Sequence, residues 1–421
     1  MVTKCGDREL EEPVAIRPTS ETAMYASFKN WIQSHRDLPL RLNQWCSVVR
    51  MEVRQTNFFL RHREFLWQEG HTAFASEIEA TTEVRQILEL YARIYEELMA
   101  VPVVRGTKTK AETFPGAEYT ETVEVFIPPT GRALQGATSH HLGQRFAKMF
   151  GIEFQDPKDP TGKSREYAYQ NSWGLSTRSM AAPIMIHGDD RGLVLPPRIA
   201  GFQVVIVPVG IKKSSPDELK QEVTQKCEEY REKLAAAGLR VKVDQRDNSP
   251  GWKFNFWEMK GVPVRLEVGP KDIEKGSFIM AKRNAADPKT GKVFGSDAQV
   301  VEDVQNVLDE IHNELFAKAV AERDESIASA TEWKDFNVYL NSGKMILIPF
   351  CGDPACEDMI KAKSKDEASE AEVMGGLKMG AKSLCVPMED KFQNACPETC
   401  INPNCPSGVK VEKWTLFGRS Y

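Results

Sequence analysis

The chain has 421 residues, a net charge of −5 at pH 7, 41% hydrophobic residues and 27% charged residues. That is an ordinary globular composition, with length for about two to four domains with real cores. No apolar run approaches a membrane span, and the opening MVTKCGDRELEEP shows neither a secretory signal nor a transit peptide, so the cytosol is expected. The acidic whole does not advertise a nucleic-acid binder; such a partner requires a local basic surface.

In chain order, residues 13–34 come first. Thr19 or Ser20 can cap a helix beginning near Glu21, with Met24, Tyr25, Phe28 and Trp31 or Ile32 at helical spacing. Residue types alone make Thr-Ser-Glu an ordinary N-cap.

The stretch Trp45–Thr72 reads as two strands joined by a loop. Alternation places Cys46, Val48, Arg50 and Glu52 on one face, and Val49, Met51 and Val53 on the other. In the second strand Phe65, Trp67, Glu69 and His71 share a face. Arg50 offers a planar fork of donors suited to phosphate or carboxylate. Glu52 accepts and suits an amine, Glu69 suits a small cation, and His71 donates or accepts. Arg54, Arg61 and Arg63 add cations in the loop. The pattern fits a solvated hairpin as well as a lined cavity; two rings beside the charges favour the cavity, since bulky rings need something to pack on.

Residues 77–99 carry Ile78, Val84, Ile87, Leu88, Tyr91, Ile94, Tyr95 and Leu98 at helical spacing, an amphipathic scaffold helix. Residues 119–138 form two alternating segments around the turn Pro128–Gly131. Simple alternation sets Gln135 opposite Thr138 and His140, so the three share a site only with a bulge or turn near Gly136, a geometry that alternation does not settle. Without further context the His140–His141 pair reads as structural. Gly162-Lys163-Ser164 imitates a phosphate loop, but Pro157 stands where the leading glycine is required, so a surface turn is expected. Next, YQNSWGLSTRS places Gly174 and Arg178 at a strand end leading into a helix. By itself Arg178 is a solvated arginine or a ligand of an anion.

Pro196-Pro197-Arg198 marks a boundary. Strands at FQVVIVPVGI, LRVKVD, GVPVRLEVG and SFIMAKR alternate with helices over Asp217–Ala237 and Val300–Lys318, which implies a small α/β domain. The turn between, DQRDNSPGWKFNFWEMKG, offers Arg246, Lys253 and Trp252 beside Glu258. In the last segment Cys351-x4-Cys356 follows the strand Met345–Phe350, with Cys396, Cys400 and Cys405 downstream. Clustered cysteines in a cytosolic chain favour metal over disulfides, and four thiolates in two pairs close a tetrahedral zinc site.

Arg50-x-Glu52 with a basic loop resembles motif 2 of class II aminoacyl-tRNA synthetases, and Gly174-Leu175-x-x-Arg178 resembles motif 3. REFLWQEGHT at Arg63–Thr72 and RPTSET at Arg17–Thr22 resemble the eukaryotic and archaeal prolyl-tRNA synthetases, and the likeness runs from about residue 9 to Tyr421. The resemblance implies an α/β and α+β multidomain chain: a class II antiparallel sheet with helices over 1–200, an α/β anticodon-binding domain over 201–320, and a C-terminal zinc-binding α+β domain over 321–421. It implies ATP-dependent activation of L-proline and its transfer to tRNA(Pro), with Mg²⁺ accompanying ATP. Arg50 and Arg178 would be catalytic, on the α-phosphate and the far phosphates. Glu52, Arg61, Gln135, Thr138 and Ser176 would join them around ATP, with Gln135 near the magnesium. Thr19, Glu21, Arg50, Phe65, Trp67, Glu69, His71 and His140 would bind proline. Arg246 and Lys253 would meet tRNA. Cys351, Cys356, Cys400 and Cys405 would hold zinc, with Cys396 in reserve, because the second pair is spaced more widely than in relatives. Relatives end in a tyrosine whose carboxylate folds back toward the catalytic domain, and this chain ends FGRSY.

Nothing before Arg17 matches motif 1, so the expectation is a chain lacking that N-terminal region, poorly soluble or altered in assembly alone. A homodimer is expected when that region is present, and membership of a multi-synthetase complex is compatible with a fused neighbour. The rival reading is a catalytically silent tRNA-binding scaffold that keeps the fold; a threonine or histidine synthetase is a third. Neither HIGH nor KMSKS occurs, which sets class I catalysis aside.

Overall fold

The computed structural model describes residues 1–52, 56–159, 161–212, 214–287, 291–368 and 379–421. Val53 and Arg54, named above in the hairpin, lie outside the described residues. The chain divides into two compact units, one of residues 1–93, 103–182 and 323–421, the other of 94–102 and 183–322.

The first unit is built on a ten-stranded sheet. In chain order its strands are β1 (Leu40–Val49), β2 (Glu64–Phe74), β3 (Val104–Thr107), β4 (Tyr119–Ile127), β5 (Arg132–Gly143), β6 (Tyr169–Ser176), β7 (Ile327–Ser329), β8 (Met345–Pro349), β9 (Lys382–Pro387) and β10 (Trp414–Gly418). Across the sheet they run β7-β8-β10-β9-β3-β4-β5-β6-β2-β1. Every pairing is antiparallel except β7 with β8. The C-terminal strands therefore continue the N-terminal sheet through β9 and β3, where Val386 faces Thr107 and Pro387 faces Gly106. Gly106 makes that approach possible: a Cβ there would sit 2.4 Å from the Cys385 sulfur and 2.8 Å from the Val386 carbonyl.

Helix α1 (Glu21–Trp31) buries Tyr25 and Phe28, and Ile32 at its C-cap is buried as well. Of the two expected alternatives Ile32 faces the core, while Trp31 is exposed. Helix α2 (Glu77–Arg93) buries Val84, Leu88 and Tyr91, and leaves Ile78 exposed. The Pro128–Thr130 turn closes on Gly131 at φ 60°, the left-handed conformation glycine adopts without strain. The Gly162-Lys163-Ser164 turn links two short paired strands, Glu153–Gln155 and Arg165–Tyr167. The Asp159 carboxylate accepts from the amides of Thr161, Lys163 and Ser164, so this is a surface turn and no phosphate loop.

The second unit holds a five-stranded sheet in the order Val241–Val243, Val204–Pro208, Val264–Val268, Ser277–Lys282, Lys292–Ser296. The first three strands are parallel and the rest antiparallel. Helices Asp217–Ala236 and Val300–Glu325 cover it through Val223, Tyr230, Val304, Leu308 and Ile311. Strands buried on both faces explain the unbroken apolar run VVIV at Val204–Val207.

Candidate functional site

The site is a cavity of about 410 Å³ in the first unit. Its floor is β2, β6 and β5 side by side. Register sets Glu69, Gly174 and Thr138 in one row and His71, Ser172 and His140 in the next, with Trp67 opposite Ser176. In β1, Cys46 faces Trp67 and Val48 faces Phe65, so the charged and aromatic face read from alternation does lie on one side. Gln135 joins that side because the β4–β5 pairing slips between Val123 and Glu124: Ala137 pairs with Val123 and Gln135 with Glu124, leaving Gly136 as the extra residue. Of the bulge or turn that the sequence left open near Gly136, the structure shows a bulge. Thr19, Glu21, Arg50, Glu52, Arg61, Phe65, Trp67, Glu69, His71, Gln135, Thr138, His140, Ser176 and Arg178 all line this cavity.

Arg50 stands just beyond the end of β1. Its amide donates to the Arg63 carbonyl at 2.7 Å, extending the hairpin by one rung. Its guanidinium lies 5.2 Å from the Trp67 ring centre and 5.3 Å from that of Phe65, and its Nε donates to the Pro18 carbonyl at 3.0 Å. Burial pulls its pKa down, against the pull of Glu21, Glu52 and Glu69. Arg61 and Glu52 pair at 2.8 Å. Arg178 is the second residue of the helical turn Thr177–Met180, where its amide donates to the capping Ser176 hydroxyl, and its Nε donates to the Leu60 carbonyl at 3.0 Å. A Cβ at Gly174 would meet the Trp67 ring at 3.4 Å, an ordinary contact.

At the opposite end the Glu69 side chain is almost fully buried. It accepts from His71 at 3.0 Å, from Gln44 at 2.6 Å, and from the Ser20 hydroxyl. Burial alone raises its pKa; hydrogen bonds from His71 and Ser20 outweigh burial and bring it down to about 2. Ser20 sits at the N-cap of α1 but makes no capping bond, because its hydroxyl is turned to Glu69. The Thr19 hydroxyl donates to Glu21. The ordinary cap expected from Thr-Ser-Glu is thus replaced by two contacts to acids. Burial pushes His140 down to about 3, helped by the charges of His71 and Arg50. Its two ring nitrogens meet the Thr120 hydroxyl at 2.8 Å and the Thr138 hydroxyl at 3.0 Å, a setting for the neutral ring.

Sequence reasoning missed three contributors. Ser172, between His71 and His140, is buried with no partner for its hydroxyl among the described residues. Gln44 braces Glu69 and Ser20. Residues 111–115 form a wall, with Phe114 4.7 Å from the His140 ring. Alternation marks Ser172 on the cavity face; nothing local marks the wall, whose contacts are distant in sequence.

Tyr421 seats against β5: its amide donates to the Ala133 carbonyl at 3.1 Å and its ring lies 5.2 Å from the Arg132 guanidinium carbon. Ser420 and Tyr421 share a second hollow with Arg61.

In the C-terminal segment, ligand atoms of Cys351, Cys356, Cys400 and Cys405 lie within 4.8 Å of one another. The sulfurs of Cys351 and Cys405 are 3.5 Å apart, and those of Cys356 and Cys400 3.8 Å. A tetrahedral metal with bonds of about 2.3 Å separates its sulfurs by about 3.8 Å, so the donor set fits. Cys396 is in a different apolar cluster, with Trp414 and Leu416. Asn402 donates to the Cys356 sulfur at 3.3 Å, a supporting contact of the kind metal thiolates receive.

In the second unit, Arg246 pairs with Asp244 at 2.6 Å, and its guanidinium carbon lies 4.2 Å from the Phe256 ring centre and 4.8 Å from that of Trp252. Lys253, which the resemblance set to meet tRNA, is turned away from solvent. It is buried, and its ammonium donates to the Asp244 carbonyl at 3.0 Å, because the helix Pro250–Met259 turns that face inward.

Among known proteins, residues 3–187 match the tRNA synthetase class II core domain (G, H, P, S and T), 203–314 the anticodon binding domain, and 333–421 the prolyl-tRNA synthetase C-terminal domain. The chain is 48% identical over 422 residues to the cytoplasmic proline–tRNA ligase of Arabidopsis thaliana, covering all of this chain and 74% of that protein. It is 45% identical over 425 residues to the proline–tRNA ligase of Encephalitozoon cuniculi, again over all of this chain and 81% of that protein. It is 52% identical over 423 residues to the bifunctional glutamate/proline–tRNA ligase of Mus musculus, of whose length it spans 27%. With the antiparallel sheet, the α/β unit and the four-cysteine cluster in place, the chain belongs to the prolyl-tRNA synthetase family.

Proposed function

We propose that the chain is a proline–tRNA ligase, activating L-proline with ATP and passing it to tRNA(Pro). The observation that carries this reading is the single cavity lined by both arginines, Arg50 and Arg178, together with the acid-and-ring pocket of Glu69, His71, Phe65 and Trp67.

In the first step the proline carboxylate attacks the α-phosphorus of ATP, giving prolyl-adenylate and pyrophosphate. In the second a ribose hydroxyl at the tRNA 3′ end attacks the acyl carbon and releases AMP. Two anions must meet in the first step, so fixed cations and orientation carry most of the rate. Arg50, preorganised over two rings, neutralises the α-phosphate; Arg178 takes the far phosphates. Glu52 accepts from the adenine amino group once Arg61 turns from it to phosphate. Gln135 would help hold a Mg²⁺ accompanying ATP, which would supply further neutralisation, and Thr138 and Ser176 would donate hydroxyls to the nucleotide. The cationic imino group of proline is held by the acids Glu21 and Glu69 with Thr19, and its ring by Phe65, Trp67, His71 and neutral His140. No general base is assigned.

Zn²⁺ is the metal we assign to the four cysteines, where it would hold the loop 396–405 onto the start of the helix Pro354–Asp366. Arg246 is the tRNA contact we retain, its guanidinium flanked by rings on which bases stack. We assign the functions to segments 1–200, 201–320 and 321–421, and the cytoplasm as compartment, in line with the name of the 48%-identical plant relative; a chloroplastic/mitochondrial relative is 41% identical. A homodimer when the motif 1 region is present belongs to the same proposal; Trp45 and Leu66, 80% and 62% exposed, share the outward face of the edge pair β1–β2. The test is proline-dependent ATP–pyrophosphate exchange, with threonine and histidine as controls. Exchange with proline alone is expected; none above background overturns the ligase reading.

A further inference from the structure

We propose that Glu357 is a positioning residue for the amino-acid end of the cavity, acting through Thr109 on the wall formed by residues 111–115. The identity of that amino acid rests on the ligase reading.

Glu357 follows Cys356 in helix α3 (Pro354–Asp366) and is 4% exposed. An acid so buried requires partners, and Thr109 and Ser383 supply them. One carboxyl oxygen accepts from the Thr109 hydroxyl at 3.0 Å. The other accepts from the Ser383 amide at 3.1 Å and the Ser383 hydroxyl at 2.7 Å. The Thr109 and Ser383 hydroxyls are themselves 2.8 Å apart. Three elements distant in sequence therefore meet on one acid.

Thr109 opens the wall. Its carbonyl accepts from the Thr113 hydroxyl at 2.8 Å and the Glu112 amide at 3.2 Å, which closes the chain into a turn anchored at residue 109. From that turn Phe114 reaches the His140 ring, and its amide donates to the Thr120 hydroxyl at 3.1 Å. The same Thr120 hydroxyl holds His140 at 2.8 Å. A second tie runs from β9, where Lys382 pairs with Glu112 at 3.0 Å. The path from Glu357 to His140 is continuous: acid, Thr109, turn, Phe114, imidazole. Hydrogen bonds to an acid are stronger and more directional than those between two hydroxyls, which suits a group that must fix another element in place. The C-terminal segment thus sets the wall of the pocket without contributing an atom to the reaction.

The experiment compares the full chain with Glu357→Ala, Thr109→Val and Thr109→Ser. Thr109→Val removes the linking hydroxyl at constant shape and leaves Glu357 bonded to Ser383; Thr109→Ser keeps the hydroxyl. In ATP–pyrophosphate exchange, KM for proline should rise about tenfold in Glu357→Ala and Thr109→Val, with KM for ATP within about twofold of the unaltered chain. Thr109→Ser should behave as the unaltered chain. Amide hydrogen exchange of residues 110–115 should quicken in the first two variants only. That readout needs no turnover, so it decides the inference even where the unaltered chain shows no exchange activity, an outcome that sinks the ligase reading by itself. The inference is overturned if Thr109→Val leaves hydrogen exchange of the wall unmoved, or if the two KM values rise together.

Discussion

Glu69 and His71 share a 3.0 Å hydrogen bond on the cavity floor, two residues apart on one face of β2. This bond and that from Ser20 hold the Glu69 pKa near 2, against an ordinary value of 4.5. The unfolded chain binds this proton more tightly, so stability rises with pH across the interval. The contribution is complete above 4.5 and is lost as pH falls toward about 2. Denaturant midpoints measured through that window should fall with acid in the native chain and be flatter in Glu69→Gln. Parallel curves would contradict the assignment.

Arg50 and Arg178 are assigned to charge that grows during the reaction. Arg178→Ala should lower the rate of exchange by about 10²–10³-fold, the loss typical of one electrostatic donor. Arg50→Lys should fall as well despite keeping the charge, because an ammonium neither forks nor stacks between Phe65 and Trp67. Steady-state kinetics with saturating proline read both effects.

The four-cysteine centre should bind one zinc per chain. Cys400→Ser and Cys405→Ser should each lower the metal content measured by atomic emission, while Cys396→Ser should leave it unchanged. Chelation should lower the melting temperature of the native chain and of Cys396→Ser alike. Retention of zinc by Cys400→Ser with loss in Cys396→Ser would reverse the choice of ligands.

Lys253 and Arg246 should separate structure from recognition. Lys253→Met leaves the Asp244 carbonyl short of a partner and should cost about 1–3 kcal/mol of stability, with tRNA affinity unchanged. Arg246→Ala should weaken tRNA binding, and the loss should shrink as salt is raised. Filter binding over a salt series distinguishes the two.

Much of the cavity was readable because strands advertise their faces. Phe65, Trp67, Glu69 and His71 alternate, and the structure keeps them together. The slip at Gly136 was readable only as a condition, a bulge or turn if Gln135 and Thr138 were to share a side, and the β4–β5 pairing decides it. What escaped is set by contacts between distant segments. Ser20 reads as a cap until Glu69 arrives from another strand; Lys253 reads as an exposed cation until the helix packs down on Asp244. The joining of β9 to β3 leaves no local trace, since strand pairing across such a separation is settled by the whole fold. Residues 111–115 show no periodicity and gain meaning only from His140 and Glu357.

The seam between β9 and β3 has a practical consequence. A chain cut before Ile327 would not shed a detachable module; it would strip β3 of its neighbour and leave Val104–Thr107 as a raw margin open to other chains. Versions shortened in this way should clump more readily than the chain that keeps β9, and any assay of the front part alone would then report on aggregates.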